Sequence, residues 1–296
     1  MATKIECLGL YELIGGASNG ELNSKNLALL IQPDVAPTIK KRLLAWKEEL
    51  RFWEEYGEIY VNLEKAQPYY RLTKAVKSLL DPKPGDNWLD VGCGPLGMSE
   101  LICQKCNGKV ANIEAIDVVL KPAKEKLEKL AKQSIDLPVS LKHQSITDLL
   151  PYPDNYFDGI AANLVLPYVT DFMSQKGKEA LEGVLREMFR ILKPGGHMVW
   201  TTPKDNVNFI WVFIASVPDM LNVYEYIAHK DFTRILQGTR ILKHALTIQK
   251  KGREGIYTFL PREELEDLLV RKIGFANPVW IKTFTQQVWG NRVYKP

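Results

Sequence analysis

Residues 87–97 run Asn87-Trp-Leu-Asp-Val-Gly-Cys-Gly-Pro-Leu-Gly97, and the fold turns on them. Asn87 to Val91 has the length and apolar character of a short buried strand. Gly92 and Gly94 follow at once, and a helical pattern sets in at Leu96. Strand, tight glycine turn and helix in that order make a ligand cradle. Glycine permits positive φ and lets the backbone approach a bound molecule closely. The helix N-terminus aims free N–H groups and the positive end of its dipole at that molecule.

Outward from this motif the chain has a regular rhythm. On the N-terminal side Ile39, Leu43, Trp46, Leu50, Trp53 and Tyr60 recur at three-, four- and seven-residue steps, with Lys, Arg and Glu between them, so an amphipathic helix is expected there. A second helix is expected over 68–80, ended by Asp81-Pro-Lys-Pro-Gly85. On the C-terminal side helix and strand alternate: helix 96–105, strand 109–119, helix 122–133, strands 139–143 and 157–162, helix 177–192 and strand 197–202. Such alternation predicts an α/β fold, a parallel sheet with helices on both faces. Between 204 and 258 it stops in favour of an aromatic-rich, helical stretch. It resumes with a helix over 261–272 and strands near 279–284 and 286–293, the last expected to bulge or end early at Gly290-Asn291.

Composition narrows the function classes. A net charge of +4 over 296 residues does not suggest a nucleic-acid binder, which usually concentrates a basic face. Cys7, Cys93, Cys103 and Cys106 form no secreted-type framework and read as reduced thiols, which with the lack of a signal-peptide pattern over 1–10 points to the cytoplasm. Cys103-x-x-Cys106 lacks the second pair a structural zinc site needs, so no metal is expected. Phe209-Ile-Trp-Val-Phe-Ile-Ala-Ser-Val217 is about half the ~20 residues that span a bilayer. It is a buried helix or a surface that meets something apolar.

A GxGxxG spacing alone also fits nicotinamide dinucleotides. Asp90 argues otherwise: it stands two residues before the first glycine, where a dinucleotide fold usually has an apolar strand residue, and a carboxylate suits a cofactor bearing an amino group and a sulfonium. Asp117, ending the next strand, can accept from both hydroxyls of a ribose. Three segments then carry a resemblance: Leu89-Asp-Val-Gly-Cys-Gly-Pro-Leu-Gly97, Tyr152-Pro-Asp-Asn-Tyr-Phe-Asp-Gly159 and Leu192-Lys-Pro-Gly-Gly196. In order and spacing, across roughly 88–202, they resemble the motifs of class I S-adenosylmethionine-dependent methyltransferases, with the flavour of the ubiquinone/menaquinone-biosynthesis type. The resemblance implies a Rossmann-like, seven-stranded, mostly parallel sheet with a late antiparallel strand. It divides the chain into an N-terminal helical extension (1–80), a cofactor-binding core (81–203), a helical substrate cap (204–258) and closing helix and strands (259–296).

The resemblance also implies roles. Asp90, Gly92 and Gly94 would hold the methionine part of S-adenosylmethionine. Asp117 would bind the ribose and Val118 would stack on adenine. Ser145 and Ile146 stand at the adenine pair, although many relatives have an acid where Ser145 is. Asn163 would lie near the reactive methyl, Leu166, Pro167 and Tyr168 on the acceptor side, and Tyr60 on a helix that closes over the cofactor.

For acceptor chemistry, Tyr168, His229 and His244 are the candidate catalytic groups, whereas His143 and His197 have the placement of structural residues. The 204–258 stretch carries Phe209, Trp211, Phe213, Tyr224, Tyr226 and Phe232 beside Lys230, Arg234, Arg240, Lys243, Lys250, Lys251 and Arg253. It is either a packed helix with a solvated basic face, or a lid with an apolar interior and a basic rim. A lid would suit a small hydrophobic or aromatic, even lipid-like, acceptor and peripheral contact with a membrane. Two rivals stand beside methyl transfer: a nicotinamide-dependent oxidoreductase, and a non-catalytic binding module that keeps the fold.

Overall fold

The computed structural model describes residues 47–57, 67–147, 149–173, 175–220 and 233–296. Tyr60, His229 and Cys7, singled out above, lie outside the described residues, as do Tyr224, Tyr226 and Phe232.

A helix over 47–57 (α1) and helix Gln67–Leu79 (α2) precede the sheet. Then follow β1 (Asn87–Val91), α3 (Gly97–Lys105), β2 (Asn112–Asp117), α4 (Lys121–Lys132), β3 (Val139–His143) and β4 (Phe157–Asn163). A short hairpin, β5 (Asp171–Phe172) and β6 (Gln175–Lys176), leads into α5 (Gly177–Ile191) and β7 (Leu192–Pro203). Helices α6 (Phe209–Met220), α7 (Thr233–Arg253) and α8 (Arg262–Asp267), the last continuing as a π-helical turn Leu268–Ile273, precede β8 (Ala276–Thr283) and β9 (Val288–Tyr294).

Seven strands form one sheet in the order β3-β2-β1-β4-β7-β9-β8. The first five are mutually parallel, and β9 runs antiparallel to both its neighbours. The α/β class and the late antiparallel strand are as expected. The antiparallel β9 also separates this sheet from the all-parallel 3-2-1-4-5-6 order of dinucleotide-binding folds.

Central strands are covered on both faces, so they are buried nearly throughout. In β1, Trp88, Leu89, Asp90 and Val91 are all buried, whereas edge strand β3 alternates between half-buried and exposed. Helix α5 covers one face with Ala180, Leu181, Val184, Leu185, Met188 and Ile191, spaced by helical turns. Helix α2 covers the other with Tyr69, Leu72, Val76 and Leu79.

Two expectations need correction. Strand β9 neither bulges nor stops at Gly290-Asn291, because it pairs without interruption from Val288 to Tyr294 against β7. The Asn291 side chain is satisfied inside the sheet: its Oδ1 accepts from Trp200 Nε1 at 2.9 Å and its Nδ2 donates to the Val279 carbonyl at 3.2 Å. The irregularity falls on β8, between Ala276 and Val279. Likewise the Leu192–Gly196 turn is part of the β7 strand, as pairing with β4 jumps from Phe157–Leu192 to Gly159–His197 and leaves the intervening residues as a bulge.

Candidate active site

At the C-terminal ends of β1, β2 and β4 the loops open onto a cavity of about 930 Å³. This is where open α/β sheets place their ligands. Its floor is the glycine turn, Gly92 to Pro95 with Gly97 and Met98; one side is Ile116 to Val119 with Gln144 to Thr147, the other Asn163 to Val165. Helix α1 roofs it with Leu50, Phe52, Trp53 and Tyr56, and Lys251 and Ile256 close the rim.

The two glycines serve different ends. Gly92 has φ +63°, and a β-carbon there would lie 2.4 Å from Val165 Cγ2, so it lets the β4 loop pack against the turn. Its N–H donates to the Ile116 carbonyl at 2.8 Å. Gly94 has φ +46° and faces the cavity, where an added β-carbon would meet nothing within 4 Å. Gly94 therefore fits the expected cofactor contact, while Gly92 shapes the turn.

Asp117 lines the cavity. Its Oδ2 accepts from Gly94 N–H at 2.9 Å and its Oδ1 from Val119 N–H at 2.9 Å. The Val118 N–H also bonds to it; a carboxylate has about four acceptor sites, so room remains for a hydroxyl donor. Burial raises its pKa, and the backbone N–H bonds oppose that rise.

Asp90 lies one layer below the cavity rather than on its wall. Its Oδ2 accepts from both the N–H and the hydroxyl of Ser99, at 3.0 and 2.7 Å, and so caps α3 from the neighbouring strand. Its Oδ1 is buried with no hydrogen-bond partner among the described residues. Burial pushes the carboxyl up to about 7. Asp90 thus fixes the glycine turn to the start of α3, directly beneath the cavity.

Val118, Ser145 and Ile146 lie on the wall together, as the adenine reading requires. The Ser145 hydroxyl is engaged within its own turn, 2.9 Å from Thr147 Oγ1 and accepting from Thr147 N–H at 3.2 Å. Asn163 also lines the cavity; its Oδ1 accepts from Thr201 Oγ1 at 2.7 Å, and Thr201 Oγ1 accepts from Leu164 N–H at 2.8 Å. This chain of bonds pins the loop after β4, where Leu164 takes φ 55°.

Of the candidate bases, Tyr168 lies in the cavity wall but is wedged among Trp53, Tyr257 and Phe259, with ring centroids 5.3, 5.1 and 5.9 Å away. Burial holds its phenol well above the usual tyrosine range. His244 does not line the cavity. Its ring packs behind the aromatic roof, 5.1 Å from Phe52 and 6.0 Å from Tyr56, and burial lowers its pKa. His197 is structural, its Nε2 accepting from Asp81 N–H at 3.3 Å, and burial lowers it to about 4.

One cluster escaped sequence reasoning. Glu49 on α1 accepts at Oε1 from Trp53 Nε1 at 2.9 Å and from Tyr257 OH at 2.5 Å, and its Oε2 pairs with Lys251 Nζ at 2.6 Å. Lys251 also donates to Tyr257 OH at 3.1 Å and lies 4.7 Å from the Phe52 ring centroid. Trp53 belonged to the amphipathic stripe; the sequence holds no local signal for its partners.

Residues 89–200 match the family described as a methyltransferase domain. The chain is similar to the demethylmenaquinone methyltransferase of Listeria welshimeri, 32% identical over 127 residues, which are 42% of this chain and 48% of that protein. It is similar too to the Bacillus cereus protein of that name, 31% identical over 130 residues, 43% and 48% of the two chains. It thus spans about half the length of the curated relatives it matches. Among solved structures, the Bradyrhizobium japonicum N-methyltransferase NodS with S-adenosyl-L-homocysteine has a TM-score of 0.51 at 13% identity, covering 82% of this chain and 98% of that one. The Haloferax volcanii putative methyltransferase in complex with the Trm112 activator also scores 0.51 at 13% identity, covering 81% and 96%. At such identity the likeness concerns the fold.

Proposed function

We propose that the protein transfers the methyl group of S-adenosylmethionine to a small, hydrophobic or aromatic acceptor, with quinol-type rings the first class to test. One observation carries this reading: a single cavity joins the glycine turn and Asp117 at one end to the aromatic side chains of Phe52, Trp53, Tyr56 and Tyr168 at the other. The resemblance to demethylmenaquinone methyltransferases supports the choice of ring.

S-adenosylmethionine supplies a methyl already activated on a sulfonium. The chain's own task is then alignment and exclusion of water. In this reading Gly94 and the start of α3 receive the methionine part, Asp117 the ribose, and Val118 and Ile146 the adenine. Asn163 and Leu164, locked by Thr201, set the wall beside the reacting centre. The 1–80 and 204–258 segments act as the cap, with α1 and the end of α7 closing over the acceptor. The work is done by the protein in the cytoplasm.

Calorimetric titration with S-adenosylmethionine, S-adenosylhomocysteine and, as control, NADH tests the first half. Micromolar binding of the first two alone is expected; binding of none, or of NADH alone, overturns it. Methyl transfer from labelled cofactor to hydroquinones and catechols tests the second half. Turnover only on compounds without an aromatic or apolar ring would reject the acceptor class.

A further inference from the structure

Helices α6 and α7 pack with the start of one against the end of the other, Phe209 N–H donating to Gln249 Oε1 at 2.8 Å. Phe209 and Val212 of α6 meet Ile248 and Ala245 of α7 in the core. That leaves two outward faces. On α6, Ile210, Trp211 and Ile214 lie on one side and are 44%, 57% and 50% exposed. On α7, Lys243, Leu246, Lys250 and Arg253 recur at three- and four-residue steps and are all exposed, with Arg240 beside them. Helix α7 contains six Lys or Arg and no acid; the acids that face it are Glu254 just beyond it, 3.7 Å from Lys250, and from α1 Glu49, paired with Lys251, and Glu55, near His244. Directly after α7, Ile256 is 42% exposed and also forms part of the cavity wall, so the cavity opens beside this surface.

An isolated exposed apolar residue needs no explanation, but a Trp and two Ile on one helix face next to an acid-free basic helix do. From this geometry we infer that the α6/α7 face docks on a negatively charged lipid bilayer. Ile210, Trp211 and Ile214 enter the headgroup boundary, and the basic stripe of α7 meets the anionic headgroups. Apolar insertion and electrostatic attraction together are what hold an interfacial helix. The helix lies on the surface rather than across it: among the described residues no helix is long and apolar enough to span a membrane. Charge argues against a second copy as the occupant, since two such basic stripes would repel. The inference goes beyond the reaction and does not depend on which acceptor is methylated.

Co-sedimentation of the full chain with vesicles tests it. Binding is expected to phosphatidylcholine vesicles containing phosphatidylglycerol, weak binding to phosphatidylcholine alone, and release by salt. Lys243→Glu with Lys250→Glu is expected to weaken binding at least about tenfold, the scale of removing two surface lysines from an anionic membrane. Trp211→Ser with Ile214→Ser is expected to weaken it by a similar factor at low salt. S-adenosylhomocysteine titration of each variant controls for folding. A wild-type chain that binds cofactor but stays in the supernatant with both vesicles overturns the surface and leaves the proposed reaction standing. Loss of cofactor binding with vesicle binding intact does the reverse. If Trp211→Ser with Ile214→Ser turns a dimer into a monomer, a second copy covers this face and the inference fails.

Discussion

Asp117 is the residue on which cofactor affinity should depend most directly. Its carboxylate holds the glycine turn through Gly94 and faces the cavity with an acceptor site to spare. Asp117→Ala should weaken S-adenosylhomocysteine binding by about 1–3 kcal/mol, the scale of hydrogen bonds to a charged group. An unchanged dissociation constant by calorimetry would remove it from the site. Gly92 is constrained from the other side. Gly92→Ala must place a β-carbon 2.4 Å from Val165 Cγ2 at φ +63°, so a loss of about 1–3 kcal/mol of stability is expected from overpacking. Chemical denaturation measures it, and Val165→Ala in the same chain should recover part of it. Asp90 and both glycines were legible in the sequence as a cradle. What Asp90 contacts was not, because a strand residue next to a glycine turn can point at the ligand or at the following helix.

At the scale of elements, the strands that read most clearly are those buried on both faces, such as β1, or bounded by sharp turns, such as β3; both match their expected limits. The β5–β6 hairpin went unread because each strand has two residues and no periodicity to detect. The unbroken β9 was misread because Asn291 looks like a terminator until Trp200 and Val279, distant in sequence, satisfy it. The join between α1 and the end of α7 was invisible for the same reason: Glu49 and Lys251 are 202 residues apart. Their side chains are 23% and 22% exposed, enough burial for the pair to matter. A double-mutant cycle with Glu49→Gln and Lys251→Met should give a coupling of about 1–3 kcal/mol. Amides of residues 47–57 should exchange faster in either variant. Additive effects with unchanged exchange would mean that the aromatic contacts alone hold α1 in place.

For the molecule as a whole, two buried groups pull stability in opposite directions as pH changes. Asp90 titrates at about 7 when folded against 3.8 as a free side chain. It is protonated in the folded chain over a range where the unfolded chain has released the proton. Its contribution is therefore present below about 3.8 and is lost as pH rises toward about 7. His197 titrates at about 4 when folded against 6.5 when free, so its contribution is present above 6.5 and is lost as pH falls toward about 4. Between those limits the two oppose each other. Asp90→Asn removes one arm. Its denaturant midpoint should fall more steeply on acidification from about pH 7 to about pH 5 than that of the wild type. A parallel or shallower fall would show that Asp90 is not held protonated.

The cavity wall has a further consequence, for how the molecule comes to be made. Its floor is complete once β1, β2 and β4 have paired, but Glu49 must wait for Lys251 and Tyr257, the latter 208 residues further on. Contacts of such separation close late, because the chain between them must be ordered first. During synthesis the glycine turn and Asp117 therefore exist as a half-built trough before a roof can settle over them. A nascent chain stalled short of residue 251 would already have its sheet centre, yet α1, with its aromatic side chains, would still lack the partners that hold it down.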